Sequence, residues 1–368
     1  MIDVYGNSLS VNETLFMLHR SSLDTMDDTV MQVLGAFSAV IGILGVLGNF
    51  VVCVAICRVP DMHTVTNAIL CNQAVADLLG SVVLMLFFNI PSSETLPDGF
   101  SGWLYCYLWK SESILWMFLL TSAISLMLVT LERYLAIVYP FKYQALLACW
   151  WVPGIAITIT WIFGVGLSLL IFGLITYSEE EKTCIVSLPP TSKNPLNPFV
   201  QATNIISFIA PAWTMLFAYI HISVVLKRSA RQTDPVPMST TESHLHTGAG
   251  SSNSTQTNQE TKEESLLRAR RNVIKTLILV CVAYFICWLP NTITLAANLS
   301  GIPYDIATVF AAANSSINPL IYAIKYKRFR DALKTLFGRK SQRIIDYQDN
   351  HQRIESLRTI TATPTCTP

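Results

Sequence analysis

The sequence predicts an all-α membrane protein: a bundle of seven transmembrane helices followed by a short amphipathic helix on the membrane surface. Two observations indicate this fold class. The chain of 368 residues is 52% hydrophobic and only 13% charged, whereas a soluble domain carries roughly 25% charged residues. The apolar residues also form long blocks, each near the ~20 residues that cross a bilayer as a helix. The net charge of +1 does not indicate a nucleic-acid partner.

The apolar blocks define seven expected helices. The first block is too long for the apolar core of a cleavable signal peptide and is expected to remain as a membrane anchor. Pro211, Pro290 and Pro319 lie inside the fifth, sixth and seventh helices, where neighbouring helices can satisfy the carbonyl group that each proline frees. The expected spans are 33–57, 66–90, 104–137, 269–298 and 306–324, and the fourth and fifth helices are expected to lie within 145–177 and 199–226.

Polar segments divide the chain into a tail, a membrane domain and a second tail. Residues 1–31 form the first tail, 32–338 the membrane domain with its surface helix, and 339–368 the second tail. Residues 229–265 are rich in Ser, Thr, Gln and Asn, so they are expected to be a disordered loop between the fifth and sixth helices.

The surface helix is expected directly after the seventh span, over residues 326–337. Phe329, Leu333, Leu336 and Phe337 recur there at helical spacing, with basic residues between them. This pattern is typical of a helix that lies in the membrane interface, with its apolar side in the bilayer.

The distribution of basic residues predicts the orientation of the bundle. With the N-terminus outside, only four of the 25 Lys and Arg residues are extracellular and 21 are cytoplasmic. This excess on the inner side is the bias that sets membrane topology. Glycosylation sequons at Asn12 and Asn298 then lie outside the cell, where glycosylation takes place.

Asp77 is the single acidic residue at membrane depth in the second helix. Polar residues in other helices can reach it, namely Ser122, Asn314, Ser315 and Asn318. Two interpretations remain open. The oxygen atoms could bind a small cation, or the side chains could form a polar cluster that only fixes helix packing.

A residue from every expected helix matches the motifs of one family. The chain resembles the rhodopsin-like (class A) G-protein-coupled receptors from about residue 33 to residue 337. A coincidence would need all seven helices to agree, so the resemblance is specific. The matching residues are Asn49, Asp77, Glu132-Arg133-Tyr134, Trp161, Pro211, Tyr219, Cys287-Trp288-Leu289-Pro290 and Asn318-Pro319-Leu320-Ile321-Tyr322.

The resemblance implies a role for each motif. It implies a disulfide between Cys106 and Cys184, and an allosteric sodium site at the Asp77 cluster. It also implies that Glu132 restrains Arg133 at rest, next to Tyr134, and that activation frees Arg133. Two tyrosines, Tyr219 and Tyr322, would swing beneath Arg133 on activation. The activation hinge would consist of Trp288, Pro211, Pro290 and Pro319.

The resemblance further implies a multi-pass protein of the plasma membrane that couples an extracellular ligand to a heterotrimeric G protein. Phosphorylation of the second tail would recruit arrestin. No nucleophile with an adjacent base, metal-ligand spacing or phosphate loop indicates an enzyme. The alternative from another class is a transporter or channel. Two observations argue against it: the chain shows no inverted repeat, and it has only one acidic residue at membrane depth.

Three departures from the family pattern concern helix contacts. Cys106 lies 27 residues before Arg133, about two more than the family spacing, so the third helix holds a bulge or the disulfide is anchored differently. Tyr284 replaces the usual Phe one turn below Trp288, which predicts a different packing there. Arg270 and Arg271 stand at the foot of the sixth helix, so no acid is available there to hold Arg133.

The ligand site is expected in the outer half of the bundle. An acid at the position of Leu115 would indicate an amine receptor, and its absence disfavours that subclass. Acidic outer segments and aromatic residues at the mouth instead favour a neuropeptide-like ligand, with a lipid or small metabolite as the alternative. The expected pocket residues are Glu112, Leu115, Trp116, Leu119, Asn291, Thr292, Leu295 and Thr308.

Overall fold

The computed structural model describes residues 11–90, 96, 98–147, 151–172, 175–179, 182–186, 202, 205–232, 253–297 and 299–338. This part of the chain is almost entirely helical and contains one two-stranded sheet. The α-helices are α1 Val11–Arg58, α2 Val65–Asn89, α3 Phe100–Leu104, α4 Ser113–Val138, α5 Pro140–Leu147, α6 Val152–Phe172, α7 Ala210–Gln232, α8 Asn253–Ala296, α9 Ile302–Lys325 and α10, residues 327–338.

Seven helical segments form the membrane bundle. Among the described residues, six are long and apolar enough to cross a membrane. The seventh is α9, with 24 residues. Its hydropathy is lowered by Asn314, Ser315, Ser316 and Asn318, but all four are buried inside the bundle. The expected seven-helix fold is confirmed.

Polarity in the bundle is distributed as a lipid environment requires. Phe37, Trp213 and Ile286 are more than half exposed on the outer surface of the bundle, while Asn49 and Asp77 are each only 1% exposed inside it. Lipid chains solvate apolar side chains well, so polar groups are the ones that must find partners between helices.

The outer end of the third span is not one continuous helix. A π-helix over Tyr105–Lys110 follows α3, and Glu112 then adopts a left-handed backbone conformation, with φ of 58°, before α4 begins. A π-helix has more residues per turn than an α-helix. It therefore accommodates the extra residues between Cys106 and Arg133, which identifies the expected bulge.

A β-hairpin is tied to this segment. Strands β1, Ile175–Ser178, and β2, Thr183–Val186, pair antiparallel with Tyr177 opposite Cys184. Cys184 forms a disulfide with Cys106, as the family resemblance implied. The hairpin is thereby held against the outer end of the third span.

The fourth membrane helix is shorter than the range in which it was expected. α6 begins at Val152, with Pro153 in its first turn, where a missing N–H costs little. Residues 140–147 form the separate helix α5, and residues 175–178 belong to β1. α6 therefore lies within the expected range 145–177, as predicted, and the two ends of that range belong to other elements.

The expectation of disorder over residues 229–265 was wrong for its two ends. α7 continues to Gln232, and α8 already begins at Asn253. Likewise, α1 begins at Val11, inside the expected N-terminal tail. Once a membrane helix is formed, each further residue adds a hydrogen bond without a new nucleus, so polar flanks can extend it. Residues 233–252 lie outside the described residues.

The surface helix is α10. Phe329 is 3% exposed and its ring centroid lies 6.5 Å from that of Tyr322. Leu333 and Leu336 are partly buried against the same cluster. Phe337 is 67% exposed. Three of the four apolar residues of the expected stripe therefore face the bundle.

Candidate functional site

The inner end of α4 holds an ion pair between two neighbouring residues. Arg133 donates from Nε to Glu132 Oε2 and from Nη2 to Glu132 Oε1, each at 2.5 Å. Thr66, near the start of α2, places its hydroxyl 3.1 Å from both carboxylate oxygens and accepts a hydrogen bond from Arg133 Nη2. Bidentate charge-assisted pairs are stronger than neutral hydrogen bonds. The two central residues of the expected switch are thus held against each other.

A tyrosine reaches the same carboxylate from α5. Tyr143 donates its hydroxyl to Glu132 Oε1. Burial, and then the neighbouring Glu132 carboxylate, raise the pKa of Tyr143 to about 12, so the hydroxyl stays a donor at neutral pH. Thr66 and Tyr143 are not among the residues expected from the sequence. Their spacing gives no signal, because they approach Glu132 from separate helices.

The two tyrosines that would move beneath Arg133 are directed elsewhere. The hydroxyl of Tyr219 lies 3.2 Å from Thr130 Oγ1. The hydroxyl of Tyr322 has no hydrogen-bond partner within the described part of the chain. In that part, neither hydroxyl is hydrogen-bonded to Arg133. The arrangement is that of a restrained Arg133.

Tyr134 faces away from this network. Its hydroxyl lies 3.0 Å from His221 Nδ1 in α7. The two rings are in contact, with centroids 5.6 Å apart, and Phe217 packs beside them. His221 is therefore an interface residue between α4 and α7.

Asp77 lies at the centre of a buried polar cluster. Asn318 Nδ2 donates to Asp77 Oδ2 at 3.1 Å, and Ser122, Ser315 and Gln73 are its other polar neighbours. Several buried oxygens here have no hydrogen-bond partner among the described residues. They are Asp77 Oδ1, Ser122 Oγ, Asn314 Oδ1, Ser315 Oγ and Asn318 Oδ1. An all-oxygen donor set with one carboxylate suits a hard cation.

Close approach of α1 and α9 fixes one side of this cluster. Asn49 Nδ2 donates to the backbone oxygen of Ser315 at 2.9 Å. A Cβ atom on Gly48 would lie only 2.8 Å from Cβ of Pro319. Glycine is therefore required at residue 48 for Asn49 to reach α9.

Tyr284 packs between Trp288 and the fifth membrane helix. Its ring lies 5.4 Å from Trp288 and is stacked on Phe208 at 5.9 Å. Its hydroxyl donates to the backbone oxygen of Ser207 at 2.8 Å. In a regular α-helix that oxygen would accept from residue 211, which is a proline and has no N–H. Tyr284 thus satisfies the carbonyl that Pro211 leaves without its α-helical donor.

The outer mouth contains a carboxylate between two aromatic residues. Glu112 Oε2 accepts from Trp116 Nε1 at 3.0 Å and from the hydroxyl of Tyr304 at 3.4 Å. No lysine or arginine forms an ion pair with Glu112 among the described residues. Tyr304 was not expected from the sequence. It lies four residues before Thr308 on one helix, so helical spacing could have placed it in the pocket.

Most other residues of the expected pocket lie on α4, α8 and α9 and are wholly or partly buried. Leu115 and Leu119 are buried on α4. Asn291 Nδ2, Thr308 Oγ1 and Trp288 Nε1 are buried polar atoms without a hydrogen-bond partner in the described part of the protein. Thr292 and Leu295 are partly buried on α8.

Some expected residues cannot be placed. Asn298 lies outside the described residues, as does the tail 339–368. Asn12 belongs to α1, and Arg270 and Arg271 belong to α8, but their side chains lie outside the described part.

Comparison with known proteins decides the family. The model of the seven-transmembrane receptor (rhodopsin) family matches residues 48–322. The chain belongs to this family. It is a G-protein-coupled receptor, a multi-pass membrane protein and not an enzyme, with an extracellular ligand and a G protein as its partners.

Two similar curated proteins are trace amine-associated receptors. The receptor is 30% identical to trace amine-associated receptor 9 of Rattus norvegicus over 313 residues, which are 82% of this chain and 87% of the relative. It is 28% identical to trace amine-associated receptor 6 of Homo sapiens, over 83% of this chain and 85% of the relative. These relatives do not support the neuropeptide-like subtype that we expected.

Proposed function

We propose that the ligand of this receptor carries a protonated amine and that Glu112 binds it. The observation that supports this most is the position of the Glu112 carboxylate, held in the mouth by two neutral donors and without an ion pair to any lysine or arginine that the structure describes. A partly buried carboxylate gains most from a partner of opposite charge. The rings of Trp116 and Tyr304 beside it would add cation–π attraction.

The names of the relatives point to the same chemistry, because they are called trace amine-associated receptors. The presence of Leu115 argues against an amine receptor only if the carboxylate that binds the amine must occupy that position. Glu112 precedes it by three residues and contacts Tyr304 of α9, so it supplies a carboxylate to the same end of the bundle. A basic peptide could present the same charge through its N-terminus or a lysine. A neutral lipid would leave Glu112 without a counter-charge.

The test is agonist-driven nucleotide exchange in membranes from cells that express the receptor. We use paired probes, 2-phenylethylamine against the neutral 2-phenylethanol, and in a second arm a library of basic peptides. The amine is expected to activate and the alcohol to fail. Activation by peptides alone would support the neuropeptide-like ligand, and equal activation by amine and alcohol would contradict the role of Glu112.

Glu112→Gln sharpens this test, because glutamine keeps the size and loses the charge. Losing a hydrogen bond to a charged group costs about 1.5–3 kcal/mol, so amine potency is expected to fall about 10- to 100-fold. Asp305→Asn is the matched control. Asp305 lies near Glu112, so this variant removes an acidic charge from the same region. Amine potency that falls only a few-fold in Asp305→Asn would show that Glu112 makes a specific contact and that the loss in Glu112→Gln is not a general effect of acidic charge.

We also propose that the receptor lies in the plasma membrane with its N-terminus outside. The 21 cytoplasmic Lys and Arg residues support this orientation. So does the Cys106–Cys184 disulfide, which lies at the Glu112 end of the bundle, because disulfides persist in oxidising compartments. Glycosylation at Asn12 and Asn298 and arrestin binding to a phosphorylated tail remain proposals that follow from this orientation.

The inner network gives the proposed output mechanism. At rest, Glu132, Thr66 and Tyr143 would hold Arg133. Agonist binding would favour a second state of the bundle, in which Arg133 leaves Glu132 and Tyr219 and Tyr322 pack beneath it. The opened inner cleft would then admit the G protein.

We further propose that Asp77, Ser122, Asn314, Ser315 and Asn318 hold a sodium ion that favours the resting state. Their buried oxygens without hydrogen-bond partners fit a small hard cation. The ion would supply the positive charge that a buried carboxylate requires.

A further inference from the structure

One tryptophan connects the mouth of the pocket to the hinge. Trp116 donates its indole N–H to Glu112 Oε2 at 3.0 Å. Its ring meets the ring of Trp288 edge-on, with centroids 6.1 Å apart and an interplanar angle of 66°. Both tryptophans are buried, with 4% and 1% exposure. The same side chain therefore touches the candidate ligand-binding carboxylate and the expected hinge residue.

The contacts continue from Trp288 along α8 and into the neighbouring helical segment. Tyr284 lies next to Trp288 on α8 and is hydrogen-bonded to Ser207 in a second π-helix, Ile205–Ile209, which directly precedes α7. A displacement of Trp288 would therefore act on the α7–α8 contact. Protein interiors are close-packed, so a ring that moves must displace its neighbours or occupy a different discrete position.

The hydrogen bond from Trp116 competes with a ligand cation for one oxygen atom. Both Trp116 and Tyr304 donate to Glu112 Oε2. Both bonds end on a charged carboxylate, but a protonated amine adds a second charge and therefore a Coulomb attraction that the neutral indole N–H does not supply. An amine that takes Oε2 would release the indole N–H from that atom, and the Trp116 ring would lose one of the contacts that hold it against Trp288.

We propose that Trp116 is a positioning residue that transmits occupancy of Glu112 to Trp288. With the carboxylate free, the Glu112–Trp116 hydrogen bond stabilises the resting packing of Trp288. With an amine bound, this stabilisation is lost and the active packing is favoured. The inference rests on the proposed amine site for its ligand, but the restraint on Trp288 exists without any ligand.

The test is ligand-independent nucleotide exchange in full-length receptor at equal surface expression. Trp116→Phe keeps an aromatic ring against Trp288 and removes the N–H. Loss of one restraining hydrogen bond is expected to raise ligand-independent exchange about three- to tenfold. The fold increase that 2-phenylethylamine then adds should shrink, because part of its effect has already occurred.

Trp161→Phe is the matched control. Trp161 also donates its indole N–H to a side chain, Asn72 Oδ1 at 2.8 Å, but it lies on α6 and is outside the pocket. Its substitution should leave ligand-independent exchange at the level of the unmodified receptor. An equal rise in both variants would show a general loosening of the bundle and would overturn the proposal.

A second pair of variants covers the case in which Trp116→Phe does not reach the cell surface. Glu112→Gln keeps an oxygen that can accept from Trp116, whereas Glu112→Leu removes it. Ligand-independent exchange should therefore rise more in Glu112→Leu than in Glu112→Gln. Equal exchange in the two variants would overturn the proposal, because it would show that the acceptor has no effect on the hinge.

The two proposals can fail separately. If amines do not activate but Trp116→Phe raises ligand-independent exchange, the Trp116 restraint stands and the amine ligand is wrong. If Glu112→Gln abolishes the amine response while Trp116→Phe shows the exchange of the unmodified receptor, the amine site stands and transmission through Trp116 is wrong.

Discussion

Arg133 and Glu132 form a bidentate ion pair, with both nitrogen–oxygen distances at 2.5 Å, although the two residues are adjacent on α4. The carboxylate also accepts from Thr66 and Tyr143, so three segments converge on it. Glu132 is therefore the central residue of the inner network, and we propose that its charge restrains Arg133 at rest.

Glu132→Gln is expected to raise ligand-independent G-protein activation several-fold, because it removes the charge that holds Arg133 and keeps the side-chain shape. Hydrogen bonds to charged groups contribute about 1.5–3 kcal/mol each. The measurement is nucleotide exchange without agonist, normalised to surface receptor. Flat ligand-independent exchange at normal surface expression would contradict the proposed restraint.

Tyr143→Phe should act in the same direction with a smaller effect. It removes one donor to Glu132 Oε1 and leaves the Arg133 pair in place. This bond is made to a charged carboxylate, and such bonds contribute about 1.5–3 kcal/mol each. Glu132→Gln weakens all the bonds to this carboxylate at once, so ligand-independent exchange should rise less in Tyr143→Phe than in Glu132→Gln. A larger rise than in Glu132→Gln would show that α5, and not the carboxylate charge, controls the switch.

Asp77→Asn is expected to abolish the sodium dependence of agonist affinity, because it removes the single carboxylate of the buried oxygen cluster. Radioligand competition with and without sodium, at constant ionic strength, measures this. Potassium at the same concentration is the control. An unmodified receptor that does not respond to sodium would rule out the ion site and leave the interpretation as a packing cluster.

Tyr284→Phe is expected to destabilise the receptor by about 1–3 kcal/mol, because it leaves the buried Ser207 carbonyl without this donor. Thermal denaturation of purified receptor in detergent measures the loss. The ring contacts with Trp288 and Phe208 remain in this variant. An unchanged Tm would show that the Ser207 carbonyl finds another partner.

Much of the bundle could be predicted because its signals are local in sequence. Apolar length predicts the membrane helices, while the orientation that the charge distribution predicts stays a proposal. The extra spacing between Cys106 and Arg133 left two alternatives open, a bulge in the third span or a different anchoring of the disulfide, and the structure shows the bulge. Its form, a π-helix with a left-handed Glu112, depends on packing against the hairpin and could not be derived from spacing.

Contacts between separate helices account for the remaining differences. Thr66, Tyr143 and Tyr304 contact expected site residues from helices that are distant in sequence or follow a break. The neuropeptide-like ligand was inferred from acidic outer segments, a property that a small amine would share. Leu115 alone does not exclude an amine ligand, because Glu112, three residues earlier, places a carboxylate at the same end of the bundle.

The π-helix also limits how this receptor can be compared with other members of its family. From Arg133 outward to Ser113 the helix is α-helical, so side-chain directions follow the usual 3.6 residues per turn. Beyond Ser113 this rule fails, because Glu112 has a left-handed backbone conformation and the π-helix Tyr105–Lys110 has more residues per turn. A sequence alignment of this receptor with a relative that has a regular α-helix here, made without a gap, will therefore assign the wrong side chains to the outer third of the third span. A ligand docked into a pocket built from that alignment would contact the wrong residues.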